Sequence, residues 1–185
     1  MNFKVTRCFK FYRNNQVVTN FNYEFHEGLY LVTGTNGIGK STLLKCLANV
    51  ISPSNDDCKM TSIKKAYLCE KIVISNGKPK AFLSHVMRLN KTWYDIDKML
   101  MEWHIENKVM RKLSKGNKQK IGILAMLLSD SEIYFFDEPT DALDKQSVNL
   151  FISAIKELIK EKIVVVATHE IAYFEGLDYV QINMD

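Results

Sequence analysis

Residues 34–41 constrain the fold of this 185-residue chain more than any other segment. They read GTNGIGKS and satisfy the spacing G-x-x-x-x-G-K-[ST] in full. The apolar run LYLVT at residues 29–33 predicts a buried strand directly before this turn, and residues 41–50 predict a helix directly after it. A strand, a glycine-rich turn and a helix in this order predict an α/β fold with an anion-binding turn at one edge of the sheet.

The residue types within this turn suit the phosphate groups of a nucleotide. Glycine lets the backbone curl until successive N–H groups point inward, and the helix adds the positive end of its dipole. Lys40 would neutralise the β- and γ-phosphates, and the Ser41 hydroxyl would ligate Mg²⁺. The alternative, a glycine-rich turn without function, is expected by chance in roughly one chain of this size per hundred. The predicted binding residues are Gly34, Thr35, Asn36, Gly37, Ile38, Gly39, Lys40, Ser41 and Thr42.

Two acidic residues, Asp137 and Glu138, follow another apolar run at residues 133–136. A strand of a parallel sheet ends at the edge where ligands bind, so Asp137 is predicted to hold Mg²⁺. Glu138 is predicted to accept a proton from an attacking water molecule. The alternative is that both acids cap a strand at a solvated turn. The phosphate-binding turn elsewhere in the chain favours the catalytic interpretation.

The remaining segments predict alternating strands and helices. Further strands are predicted at residues 17–25, 63–68, 163–168 and 179–183, and helices at about 79–110, 117–128 and 144–160, with a loop at 51–62. The run IVVVAT at 163–168 is β-branched and apolar, as is typical of a central parallel strand. This alternation predicts a sheet covered by helices on both faces.

Composition narrows the function classes. The net charge of +4 is too small to indicate nucleic-acid binding by itself. The four cysteines, Cys8, Cys46, Cys58 and Cys69, have no C-x-x-C spacing, which argues against a zinc site and fits a reducing compartment. The first residues lack the apolar core of a signal peptide, and no stretch has the roughly 18 apolar residues of a spanning helix. We therefore expect a cytoplasmic chain that reaches a membrane only through a partner.

Several motifs together resemble those of the ATP-binding-cassette (ABC) ATPases. The run LSKGN at 113–117 resembles the family signature LSGGQ, in the LSKG form of an exporter-like subgroup. The run DEPTDALD at 137–144 resembles the Walker B strand with its D-loop, and VVVATH at 164–169 resembles the strand that carries the switch histidine. The resemblance covers about residues 3–183. It implies one nucleotide-binding domain over residues 1–185, with an N-terminal antiparallel β-subdomain, a RecA-like parallel-sheet core of the P-loop NTPase type, and a short helical subdomain at about 71–128.

The resemblance also implies roles for individual residues around ATP and Mg²⁺. Two copies would stack head to tail, so that Ser114 and Gly116 contact the γ-phosphate held by the other copy. His169 would contact the γ-phosphate and position the attacking water, and Asp141 would act across the interface. Tyr12 would stack on adenine, with an ordinary strand residue as the alternative. The other histidines, His26, His85 and His104, have no such context and are expected to be surface or packing residues.

The chain departs from the family pattern at three positions. The family places a glutamine after the strand that follows the first helix, and Glu70 stands there in this chain. An acid could still bind Mg²⁺ or its water shell, and a solvated acid at a strand end is the alternative. In the signature, Lys115 replaces a glycine and Asn117 replaces a glutamine, while Ser114 and Gly116 remain.

The resemblance implies an ATP-hydrolysing subunit of a transporter whose membrane-spanning subunits are separate proteins. The signature variant favours export, and the membrane partner would hold the chain at the inner face of the cell membrane. The alternatives are an ABC-type ATPase acting on nucleic acid or ribosomes and, more remotely, a P-loop kinase. The five lysines and one arginine at 108–120 fit the first alternative, but a basic rim that serves ATP is the simpler interpretation, so no nucleic-acid partner is expected.

Overall fold

The structure is a computed structural model that describes residues 2–12, 15–68 and 76–185, without the side chains of residues 12, 15 and 16. Its strands are β1 (Asn2–Tyr12), β2 (Asn15–His26), β3 (Gly28–Thr33), β4 (Lys59–Met60), β5 (Lys65–Leu68), β6 (Ile133–Asp137), β7 (Ile163–Ala167) and β8 (Tyr179–Asn183). Its α-helices are α1 (Lys40–Leu47), α2 (Pro79–Asn90), α3 (Ile96–Glu102), α4 (Lys115–Leu127) and α5 (Lys145–Leu158), and short 3₁₀ turns lie at Met110–Lys112 and Ile171–Phe174.

The strands form one antiparallel and one parallel sheet. The antiparallel sheet has the order β2-β1-β4, and the five-stranded parallel sheet has the order β5-β6-β7-β3-β8. The parallel register aligns Val32 of β3 with Ala167 of β7, and Ala167 with Asp137 of β6. The loops that follow β3, β6 and β7 therefore lie side by side at the carboxyl edge of the sheet, where open α/β sheets bind ligands.

Side chains of the central strands alternate between two hydrophobic cores. Tyr134 and Phe136 of β6 pack with α2 to α5, whereas Ile133 and Phe135 pack with α1 and the antiparallel sheet. All five residues of β6 and of β7 are buried, which explains their continuous apolar sequences. The predicted fold class, an antiparallel subdomain beside a helix-covered parallel sheet, is confirmed.

The prediction of one helical segment over about 79–110 was wrong. Helix α2 ends at Asn90, because Lys91 takes a left-handed φ of 56° that an α-helix cannot continue. Helix α3 begins after Asp95, whose carboxylate accepts a hydrogen bond from the Lys98 N–H at 3.0 Å. The spacing of apolar residues continued through this break and concealed it.

Other boundaries moved by a few residues. The predicted loop at 51–62 contains the short strand β4, which pairs Met60 with Val5 of β1. Helix α1 stops at Leu47, three residues before the predicted end, and Asn49 takes a left-handed φ of 58° there. Helix α4 begins at Lys115 rather than residue 117. In the described part of the chain, no helix has both the length and the apolar character needed to span a membrane.

Candidate nucleotide site

The turn between β3 and α1 depends on glycine at two positions. Gly37 and Gly39 have φ angles of 85° and 119°, which side chains disfavour. A Cβ on Gly39 would also lie 2.6 Å from Val17 Cγ1 and 2.8 Å from the Val17 carbonyl oxygen, so β2 closes tightly over the turn. No side chain in the described residues caps the start of α1, and its first N–H groups face the turn.

Lys40 is held inside this turn. Its residue is 7% exposed, and its ammonium donates to the carbonyl oxygens of Gly34 at 2.8 Å and Thr35 at 3.3 Å. On the outer side of the turn, an Asp185 carboxylate oxygen accepts from the Thr35 N–H at 2.8 Å and from the Thr35 hydroxyl at 3.0 Å. These contacts hold the turn through both Lys40 and Asp185, and they place the Lys40 ammonium against the turn backbone.

Ser41 and Asp137 meet below the turn. The Ser41 hydroxyl donates to Asp137 Oδ1 at 2.8 Å, and the hydroxyl of Tyr67 donates to Asp137 Oδ2 at 3.0 Å. Asp137 is only 2% exposed, so these two hydroxyl groups satisfy a buried carboxylate. Serine and carboxylate oxygens are hard donors of the kind that Mg²⁺ prefers, so this pair fits the metal predicted from the sequence.

Glu138 follows Asp137 and turns toward the next strand. Its φ of 45° is a left-handed conformation uncommon for a residue with a side chain, and its N–H donates to the Ala167 carbonyl at 3.0 Å. Its Oε2 lies 3.1 Å from His169 Nδ1, and His169 Nε2 lies 4.0 Å from Asp141 Oδ1. Burial raises the pKa of Glu138 above its ordinary value, and the neighbouring His169 opposes that rise.

Many of the predicted residues of these loops border one cavity of about 460 Å³, whereas Gly34, Thr35, Ile38 and Asp137 are not among the residues that line it. Described residues lining it are Val17, Asn36, Gly37, Gly39, Lys40, Ser41, Thr42, Glu138, Asp141 and His169. The acid and imidazole groups of Glu138, Asp141 and His169 also lie within 4.8 Å of one another. A hydrogen bond joins Glu138 to His169, whereas Asp141 is only within ion-pair distance of His169. An imidazole suits Mg²⁺ less well than oxygen donors do.

Ser114 and Gly116 lie apart from the described residues that line this cavity. Ser114 is exposed and begins α4, where its hydroxyl oxygen accepts from the Asn117 N–H at 3.2 Å. A Cβ on Gly116 would lie 2.5 Å from the carbonyl oxygen of Ala142, in the loop that follows β6. The signature turn therefore presents Ser114 outward and packs Gly116 against the D-loop of its own chain.

Two further contacts join α4 to the loop after β6. The Gln119 amide donates to the Pro139 carbonyl at 3.3 Å, and the Lys120 ammonium donates to Asp144 Oδ2 at 2.8 Å. Asp144 Oδ1 caps α5 by accepting from the Ser147 N–H at 2.8 Å. The lysine side chain is 6% exposed and the aspartate side chain 60% exposed, so this pair is buried on one side only.

For two predicted site residues, the structure does not describe the side chain. The backbone of Tyr12 ends β1, but its side chain is not described, and Glu70 belongs to the undescribed residues 69–75. Three residues were missed: Val17 against Gly39, Tyr67 against Asp137 and Asp185 against Thr35. No local motif marks them, because each acts through a strand pairing or a contact across many residues of chain.

The comparisons with known proteins agree with this architecture. The ABC transporter family model matches residues 18–141. The cytochrome c biogenesis ATP-binding export protein CcmA of Reclinomonas americana is 25% identical over 178 residues, covering 85% of this chain and 80% of that protein. The zinc uptake ATP-binding protein ZnuC of Bacillus subtilis is 29% identical over 187 residues, covering 86% and 80%.

A solved structure supports the fold. The dimeric ATP-binding cassette MJ0796, bound to ADP and phosphate, superimposes with a TM-score of 0.81 at 18% identity, covering 98% of this chain and 94% of that one. The relatives differ in size: this chain spans 80% of the length of CcmA but only 12% of the length of ABC transporter C family member 6 of Arabidopsis thaliana. The family model matches residues 18–141, which is more than half of the chain, and the fold around the phosphate turn is that of an ATP-binding cassette. The chain therefore belongs to the ABC transporter family.

Proposed function

We propose that this chain binds ATP with Mg²⁺ and hydrolyses it in a head-to-tail pair that drives a separate membrane transporter. The observation that carries the proposal is the single cavity bordered by Lys40, Ser41, Glu138 and His169. These groups have the chemistry of three tasks in phosphoryl transfer. Lys40 suits phosphate binding, Ser41 suits metal binding, and Glu138 with His169 suits activation of water.

Phosphate binding falls to the turn and to Lys40. Its ammonium bonds the turn carbonyls at 2.8 and 3.3 Å, so it reaches the phosphates by exchanging one partner for another. Ser41 and Asp137 would hold Mg²⁺, which when bound neutralises charge on the β- and γ-phosphates. Tyr12 stacks on adenine, and Glu70 acts near the metal, in this proposal.

Water activation falls to Glu138. Its pKa is raised by burial, which makes the carboxylate a better proton acceptor near neutral pH than an exposed glutamate. His169, 3.1 Å from Glu138, orients that carboxylate and faces the γ-phosphate. Both groups stand at the ends of neighbouring strands, so their separation is set by the sheet rather than by a flexible loop.

The second copy supplies the signature turn. Ser114 is exposed at the start of α4, where the positive end of the helix dipole favours an anion. It is not among the described residues that line the cavity of its own chain. A partner related head to tail would place its Ser114 and Gly116 over the γ-phosphate. Two identical sites would form in a homodimer.

The direction of transport in this proposal is export. The LSKG signature and the export protein among the relatives support that direction, whereas the zinc uptake protein among the relatives is named for the opposite one. In this proposal, an integral membrane subunit carries the substrate and holds the chain at the inner face of the cell membrane.

The test combines hydrolysis with assembly. Lys40→Ala is expected to abolish ATP hydrolysis, and Glu138→Gln to lower it about 10²- to 10⁴-fold while accumulating an ATP-bound dimer seen by light scattering. Glu157→Gln, an exposed change on α5, is the control and should retain wild-type turnover. Unchanged hydrolysis in Lys40→Ala would refute the assignment. Stimulation of hydrolysis by DNA or RNA, lost at high salt, would favour the nucleic-acid alternative over transport.

A further inference from the structure

The buried carboxylate of Asp137 has two hydroxyl partners from different elements. Ser41 belongs to the phosphate turn, and its contact with Oδ1 is the one expected of a metal site. The second partner, Tyr67 on β5, donates to Oδ2 at 3.0 Å. A buried ionised oxygen needs such a donor, because leaving it without a hydrogen bond is costly. Nothing in the phosphate turn requires that this donor be a tyrosine from the edge strand.

Strand register explains how Tyr67 reaches Asp137. Tyr67 pairs with Phe135, and Asp137 lies two residues beyond Phe135 on the same face of the sheet. Diagonal neighbours of this kind lie within reach of an aromatic side chain. Tyr67 and Phe135 also pack in the core beneath α1. This packing restrains the Tyr67 ring, and the Tyr67 hydroxyl extends from it to the Asp137 carboxylate.

The chemistry of a phenol suits this position. A lysine or arginine at the same distance would neutralise the carboxylate and compete with a divalent cation for it. A hydroxyl group fixes one oxygen by a hydrogen bond and leaves the negative charge intact. With Ser41 on one oxygen and Tyr67 on the other, rotation of the carboxylate is restrained from both sides.

We propose that Tyr67 is a positioning residue for the metal site: its hydroxyl holds Asp137 in the orientation that receives the divalent cation of a bound nucleotide. This inference rests on the proposed function, because it assumes that Ser41 and Asp137 hold that cation. Loss of a hydrogen-bonding partner behind a metal ligand typically lowers metal affinity about 10- to 100-fold. A tyrosine whose hydrogen bond served only the fold would affect folding stability and leave metal affinity unchanged.

The experiment measures how strongly metal tightens nucleotide binding. Affinity for N-methylanthraniloyl-ADP is determined by fluorescence in EDTA and across a Mg²⁺ titration, for wild type and Tyr67→Phe. In Tyr67→Phe we expect unchanged affinity in EDTA and a Mg²⁺ half-saturation concentration raised about 10- to 100-fold. Mn²⁺, followed by electron paramagnetic resonance on the ADP complex, should show the same loss without any turnover.

Tyr134→Phe is the matched control. Tyr134 is a buried tyrosine of β6 whose hydroxyl accepts from the Ser131 N–H at 2.9 Å in the other core, so its loss removes a buried hydrogen bond away from the site. Its metal dependence should equal that of wild type. If Tyr67→Phe does not fold, Tyr67→Met tests the same expectation, because methionine fills similar space without a hydroxyl.

The outcomes separate the two proposals. If metal does not tighten nucleotide binding in wild type, the proposed function fails. If metal acts in wild type and equally in Tyr67→Phe, or if Tyr134→Phe loses metal dependence to the same degree, the role of Tyr67 is overturned while the proposed function stands.

Discussion

The ion pair between Lys120 and Asp144 predicts an asymmetric response to mutation. The ammonium is buried, with a side chain 6% exposed, whereas the carboxylate side chain is 60% exposed. Removing the aspartate charge leaves a buried ammonium without its counter-ion. Removing the lysine charge leaves a solvated carboxylate that still caps α5 through Ser147. The two substitutions should therefore differ, although they break the same contact.

The magnitude follows from the environment of each partner. Breaking a fully buried pair costs about 3–5 kcal/mol and an exposed pair about 0–1 kcal/mol. For this half-buried pair we expect Asp144→Asn to lower the free energy of unfolding by about 2 kcal/mol. Asparagine remains a good helix cap, so that cost reports the charge. Lys120→Met keeps the aliphatic stem and should cost about 1 kcal/mol or less.

Urea unfolding of the two single variants and the double variant measures these terms. The double variant should lose less stability than the two single variants lose together, because it leaves no charged group without its partner. The hydrogen bond from Lys120 holds the pKa of Asp144 well below its ordinary value, so this stabilisation is present above about pH 4 and is lost as the pH falls further. The reasoning is refuted if Lys120→Met destabilises the protein as much as Asp144→Asn does.

Three other predictions concern the cavity and its surroundings. Because burial raises the pKa of Glu138, ionisation of its carboxyl group destabilises the fold as the pH rises. Glu138→Gln should therefore have a higher urea midpoint than wild type at pH 7, and the two midpoints should converge near pH 4. Equal midpoints at both pH values would count against this explanation. Gly116→Ala should lower the free energy of unfolding by about 1–3 kcal/mol even without nucleotide, because its Cβ would lie 2.5 Å from the Ala142 carbonyl oxygen. A variant as stable in urea as wild type would disprove that contact. Asp185→Asn keeps an acceptor for Thr35 but removes a negative charge beside the phosphate turn. The affinity for ADP should therefore rise about two- to five-fold at low salt and match that of wild type at high salt. Tighter binding that does not depend on salt concentration would contradict this explanation.

Local spacing was sufficient to predict the turn between β3 and α1 and the meeting of Ser41 with Asp137. The glycines at 37 and 39, with Lys40 and Ser41, occupy one continuous segment whose backbone geometry is dictated by its own residues. The acids at 137 and 138 end an apolar strand, and a parallel sheet brings such ends together. The sequence therefore indicated which loops would meet, and residues of each of these loops line the cavity.

Contacts that depend on register or on chain reversal could not be predicted. Tyr67 lies in the four-residue strand β5 and belongs to no local motif, and only its pairing with Phe135 reveals that it reaches Asp137. The break after α2 depends on Lys91 adopting a left-handed conformation, which no pattern of apolar residues reports. The roles of Tyr12 and Glu70 stay predictions, because their side chains lie outside the described part of the chain.

The close approach of Gly116 to the Ala142 carbonyl changes how a glycine at this position should be interpreted. Its lack of a side chain is demanded by the folding of a single chain, before any nucleotide or second copy arrives. Loss of activity on replacing it would thus be ambiguous evidence for contact with a partner's phosphate. Ser114 is exposed at the same turn and free of that steric demand, but its hydroxyl oxygen caps α4. Ser114→Asn keeps a capping side chain, so it tests recognition between copies with less effect on the fold of each copy than a change at Gly116.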